Sequence, residues 1–201
     1  DDYTAILAGT SSTKKNSLHT DITFEGAISN HKGSEVRLVI TDKIIYGVLK
    51  TATTEYFIEP LHYLIQGSSK EAFVIYQTRH IKENSPLKCG VTEVKEKGHK
   101  MHKTKYSTAT GDCYKISLVL ASDSSAVTAI GSEEDMIVHN IGLVNSIYPF
   151  FKDFEFPTNL EITLAGQYIS TTAENDPYSN EFTDIEAQLE SFSLWCNPTN
   201  K

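Results

Sequence analysis

CYKISLVLASDSSAVTAIGSEEDMIVHNIGLVNSIYPFF, residues 113–151, contains two different apolar spacings one after the other. Its opening is a nearly continuous apolar run, which predicts a buried strand over 114–121. After Asp123 the spacing changes. Val127, Ile130, Ile137, Ile141, Val144, Tyr148 and Phe151 recur at three- and four-residue steps, so they share one stripe of a long helix. Gly131 is placed to interrupt the first turns. Pro149, which lacks an N–H and restricts the residue before it, is expected to end the helix near Tyr148. A strand followed by a helix that packs on it is the opening of an α/β unit.

Downstream, NLEITLAGQYIS (159–170) predicts a second strand and TTAENDPYSN a loop. EFTDIEAQLESFSLW then predicts a second helix, with Phe182, Ile185, Leu189 and Phe192 on one face and Glu181 and Asp184 in the first turn, where the helix dipole favours carboxylates. The order β-α-β-α leaves a parallel sheet expected to need a third strand where CNPTNK stands.

Upstream the pattern is antiparallel. VRLVI (36–40), IIYGVL (44–49), YFIEPL (56–61) and AFVIYQ (72–77) are short period-2 runs separated by turn formers, with TDK short enough for a hairpin and QGSSKE for a looser turn. Between them and the α/β unit lies TEVKEKGHKMHKTKYSTATGD, with five lysines and little apolar periodicity. It reads as an exposed linker. The expected division is thus a β-rich unit at 1–91, a basic linker at 92–112 and an α/β unit at 113–201, an α+β chain.

A net charge of −8 and a pI near 5.3, with no Lys/Arg stripe along a helix face, argue against nucleic acid as a partner. No run of 18 apolar residues is present, so no membrane-spanning helix is expected. The N-terminus has neither an initiator Met nor a signal-type apolar segment, and the chain reads as soluble and already trimmed.

Three cysteines, Cys89, Cys113 and Cys196, allow one internal disulfide and leave one thiol over, and their spacing fits no CxxC site. Cys113 opens the first α/β strand and Cys196 ends the second helix. A helix returning antiparallel to the strands would bring them to one sheet edge, so a Cys113–Cys196 bond is expected. Partners elsewhere in a larger protein remain the alternative for one or both. Cys89 is then the odd thiol, in PLKCGVTE (86–93) directly before the lysine-rich run.

Pro86, Cys89, Gly90 and Val91, followed by the linker and by SLVLASD, resemble the pro-domain and early catalytic domain of reprolysin-like (adamalysin) zinc metalloproteases. FIEPL and FVIY resemble that family's pro-domain strands, and VNSIY and LESFSLW resemble its first two catalytic helices. The resemblance implies an antiparallel β pro-domain followed by a β-α-β-α half of a metzincin-type catalytic domain. It also implies that Cys89, Gly90 and Val91 form an inhibitory switch, with Cys89 a zinc ligand in the latent full-length form. A thiolate is a strong zinc ligand and would fill the position a catalytic zinc keeps open for water. Other implications are secretion, a protein or peptide substrate for the full-length form and the remainder of a catalytic domain as partner. Activation would follow cleavage among the lysines of 95–105.

The departures matter as well. No His is followed by Glu, and His19, His31, His62, His80, His99, His102 and His139 never show the spacing of an H-E-x-x-H helix. Lys88 stands one position away from the lysine usual in the switch segment, and Ser117 stands where many relatives carry a calcium-binding glutamate. The 201 residues alone are therefore expected to be inactive. The alternative is a non-catalytic binding or inhibitory protein on the same scaffold. Several further residues have simpler readings. His99 and His102 read as solvated linker, His139 as a half-buried structural histidine and Asp123 as a helix N-cap. Glu174 and Asp176, possible calcium ligands by type, read as loop residues.

Overall fold

The computed structural model describes residues 4–7, 13–14, 22–82, 113–152, 159–176 and 185–196. Its order is β1 (Thr4–Leu7), β2 (Thr13–Lys14), β3 (Thr23–Gly26), β4 (Glu35–Ile40), β5 (Ile45–Lys50), β6 (Glu55–Pro60), α1 (Leu61–Leu64) and β7 (Phe73–Gln77). After these come β8 (Cys113–Ser122), α2 (Ser124–Ile130), α3 (Glu133–Lys152), β9 (Asn159–Ile169) and α4 (Ile185–Cys196). The fold is mixed α+β.

Strands β3 to β7 form an antiparallel meander in sequence order. Its β4–β5 hairpin closes through Thr41 N–H donating to the Ile44 carbonyl, as the short TDK link predicts. Gly47 on β5 lies where a Cβ would come 2.0 Å from the Arg37 carbonyl oxygen, so no larger residue fits that crossing without moving β4. Strand β3 was not among the predicted runs. It pairs with β4 from Thr23↔Val39 to Gly26↔Val36.

The second sheet has the order β2-β1-β9-β8, with β8 and β9 parallel from Cys113↔Asn159 to Ser122↔Ile169. The register skips Ala165, since Leu118 pairs with Leu164 and Val119 with Gly166. This bulge resets the pleat, and Leu164 and Gln167 both turn toward α3. The neighbour expected from residues after the second helix is supplied at the other end of the chain. Thr4–Leu7 lies parallel to Gly166–Ile169, although the sequence reading assigned residues 1–91 to the first unit.

The expected long helix divides at Gly131, whose φ of 120° lets its N–H close onto the Val127 carbonyl and end α2. Pro149 does not end α3, which continues to Lys152. The last turn is held from outside: Lys50 Nζ donates to the Pro149 carbonyl at 3.3 Å, and Phe150 stacks on Phe57 with centroids 6.5 Å apart. The proline ring removes the bond its N–H would make to the Asn145 carbonyl, and these outside contacts keep the turn formed in spite of that loss.

Helix α3 packs against β9 on one side and β4 and β5 on the other. Ile137 joins Val127, Ile130, Met136 and Ile169 in one apolar cluster, while Val138 joins Val39 and Ile44 in a second, and Ile141 borders both. The expected stripe is buried at Val127, Ile130, Ile137 and Val144 and half-buried at Ile141, Tyr148 and Phe151, and α3 has two inward faces rather than one.

In α4 the expected face is partly overturned. Leu189 is 52% exposed, and the inward contacts come from Phe192 and Trp195. Trp195 lies against Tyr168, which alternates with Ile169 and so faces away from α3.

Candidate functional site

The described residues from the two sides of the linker meet along α3, and the middle of that seam is aromatic. His139 lies 5.0 Å from the Tyr46 ring of β5 and 5.4 Å from the Tyr63 ring of α1, and His62 packs edge-on against Tyr63 at 4.7 Å. One helical turn along, Gly142 leaves a notch. A Cβ there would come 2.5 Å from Tyr46 Cδ1, so the ring lies directly on the helix backbone. Toward the C-terminal end of α3, Asn145 donates to the Leu38 carbonyl at 3.2 Å, and the Arg37 guanidinium stacks 4.5 Å above Tyr148 while paired to Glu25 and Glu35.

Burial favours the neutral forms of the seam's tyrosines and of His139. Burial pushes the Tyr46 hydroxyl up to about 12, helped by the nearby Glu59 charge. Burial also raises Tyr63, with Asp135, Tyr46 and Glu59 adding to it, and raises Tyr76, whose hydroxyl donates to Glu59. His139 moves the other way, because burial disfavours the imidazolium. Its Nδ1 and the Tyr63 hydroxyl are buried without a hydrogen-bond partner among the described residues.

Beneath the seam, at the C-terminal ends of β8 and β9, lies a buried polar network. Asn140 donates to Ser122 Oγ at 3.0 Å and to Gln167 Oε1 at 2.6 Å, and Gln167 returns a bond to the Ile137 carbonyl at 3.2 Å. Asp123 is the N-cap of α2, accepting from the Ala126 N–H at 2.8 Å, as expected. Asp176 accepts from the Ser124 N–H and hydroxyl at 2.8 and 2.7 Å. Both carboxylates tie down the start of α2.

The sequence-predicted site is not assembled among the described residues. Cys89, Gly90 and Val91 lie outside them, as do the linker 92–112, His99, His102, Glu181, Phe182 and Asp184. Cys196 is a free, exposed thiol, so the Cys113–Cys196 disulfide is not formed. The reason is the course of α4. Cys113 pairs with Asn159 at the start of β9, whereas Trp195, next to Cys196, lies on Tyr168 near its end, about 30 Å along the strand at ~3.3 Å per residue. The helix ends at the opposite edge from the one expected. Ser117 is exposed on β8, and Glu174 sits in a short turn beside Asp176. Among the described residues no group of three or more His, Cys, Asp or Glu is placed to hold a metal, so these residues do not fit a zinc site. None of the described helices is long and apolar enough to cross a membrane.

Sequence reasoning missed Tyr46 and Tyr63 as partners of His139, and Gly142 as the seat of the Tyr46 ring. One signal was available: a glycine inside a helical stripe often marks a close approach. The polar network had none, since Asn140 and Gln167 lie far apart in the chain and on different elements.

No protein-family model matches the chain, and no curated protein matches it at a significant level.

Proposed function

We propose that the chain is the latency-conferring N-terminal part of a secreted reprolysin-like zinc endopeptidase. In this reading the antiparallel sheet is a pro-domain, and β8-α3-β9 begins the catalytic domain. The observation that carries it is the seating of the antiparallel sheet on α3, the crossover helix between two parallel strands. A pro-domain must be held on its catalytic partner until it is cut away, and this seam supplies such a hold through apolar and aromatic contacts. The segment carrying Cys89 joins the two parts, between Lys82 and Cys113. Cys89 is the candidate zinc ligand, and Gly90 and Val91 complete the resemblance. The metal and the catalytic residues belong to a longer protein, which would act on a protein or peptide substrate.

A second reading is favoured by the missing H-E-x-x-H sequence and the lack of a metal-binding group among the described residues. It takes the chain as a binding or inhibitory protein built on the same scaffold.

The test is peptidase activity of the protein encoded by the complete reading frame, before and after limited trypsin cleavage. Cleavage is expected first within 95–105, where the lysines cluster, and chelator-sensitive activity should appear with it. A protein with no chelator-sensitive activity after cleavage would contradict the proposal and leave the binding reading in its place.

A further inference from the structure

The five-stranded sheet has two faces of different character. Facing α3 are Val39, Tyr46 and Phe57, but also Glu25, Arg37 and Lys50. On the other face the register places Phe24, Leu38, Ile58 and Ile75 in one row across the strands, with Ile40 and Phe73 toward the same end. Every strand position on this outer face is uncharged. Several of its side chains are open to solvent: Ile75 is 61% exposed, Phe24 48%, Ile40 38% and Phe73 36%. A groove of about 600 Å³ at one end is lined by Leu49, Tyr56 and Ile75 from the strands and by His31 and Lys32 from the β3–β4 loop.

Strands about 4.8 Å apart, each about six residues of ~3.4 Å, make this face roughly 24 by 20 Å, or about 500 Å². That matches the largest apolar patches found on monomers, which are often functional. Two such faces would bury about 1,000 Å² in total, the lower end for a specific interface. We propose that the charge-free outer face of the antiparallel sheet docks a second copy of this chain, sheet on sheet, as a weak symmetric dimer. Two copies suit this face because each brings the same uncharged strand surface, so no strand charge is buried and no complementary charge is required, with Lys32 left at the rim. Each copy also carries a net charge of −8, so association should tighten as salt screens the repulsion.

The experiment is sedimentation velocity of the full 201-residue chain over a concentration series from about 1 to 100 µM, the range in which weak dimers dissociate. It is run at low and high salt, with Ile75→Lys and Phe24→Lys as variants on opposite edge strands. Circular dichroism and cooperative unfolding establish that each variant is folded. The expected result is a monomer–dimer equilibrium that tightens with salt and weakens at least tenfold in both folded variants. A wild-type chain that stays monomeric overturns the proposal. Binding of an apolar dye would then mean that the face is open, and no binding that other residues of the same chain cover it. A dimer that neither substitution weakens would also overturn it, by placing the contact elsewhere.

Discussion

The Tyr46 ring fills the notch left by Gly142 in α3, so the antiparallel sheet meets the helix at its backbone rather than at side-chain distance. A methyl group at that position would overlap the ring, and both groups belong to packed elements. Gly142→Ala is therefore expected to destabilise the fold by about 1–3 kcal/mol, although alanine is the better helix former. In a Tyr46→Leu background the same substitution should cost much less. Urea denaturation of the four proteins of this cycle measures the coupling. Additive effects would mean that the ring and the helix do not touch.

His139 predicts acid sensitivity of the same seam. Its folded pKa lies below the unfolded value of about 6.5, so below that pH the unfolded chain binds more protons. Stability from the neutral imidazole is complete above pH ~6.5 and is lost as the pH falls toward the folded value. The rings facing it are Tyr46 and Tyr63, and the charges acting on those rings are Glu59 and Asp135. Denaturation midpoints measured from neutral pH to about pH 5 should fall more steeply for the wild type than for His139→Phe, once the histidine's own titration is removed. Equal slopes would show that His139 is not the group responsible.

Tyr46 makes the opposite prediction in base. Its folded pKa is about 12, above the ordinary tyrosine value, so the unfolded chain loses its proton first and stability falls as the pH rises through about 10. An ultraviolet difference titration should show some tyrosines ionising normally and a late group that includes Tyr46. Loss of the late group in Tyr46→Phe, by one tyrosine, assigns it. A single normal transition would place Tyr46 in water.

Cys196 should react with a thiol reagent in the native protein, because it is exposed and unbonded. Peptide mapping without reduction is expected to find no Cys113–Cys196 link. A recovered link would require α4 to end at the other edge of the β8–β9 sheet.

The strands from 36 to 77 were legible because a half-buried antiparallel strand shows its period within five or six residues. The helical stripe through Ile137 and Val144 was legible for the same reason at a different period. Local spacing did not reveal what depends on contacts between distant residues. Pro149 carries a true stop signal, overridden by Lys50 and Phe57 from the other sheet. Thr4–Leu7 gains a place beside β9 through register alone. Leu189 has helical spacing, but spacing does not say that α4 lies at the periphery. Of the candidate site, the N-cap role of Asp123 and the half-buried state of His139 were readable, since each is local. The disulfide inference failed because it assumed a returning crossover helix, and Trp195 lies at the other end of β9.

The most direct test of the account is the peptidase activity of the uncut protein encoded by the complete reading frame, compared with its Cys89→Ser variant. A serine hydroxyl is a far weaker zinc ligand than a thiolate. The uncut wild type is expected to be silent, while the uncut variant shows chelator-sensitive activity comparable to that of the cleaved wild type. A variant as silent as the wild type before cleavage, with both equally active after it, would contradict the role assigned to Cys89.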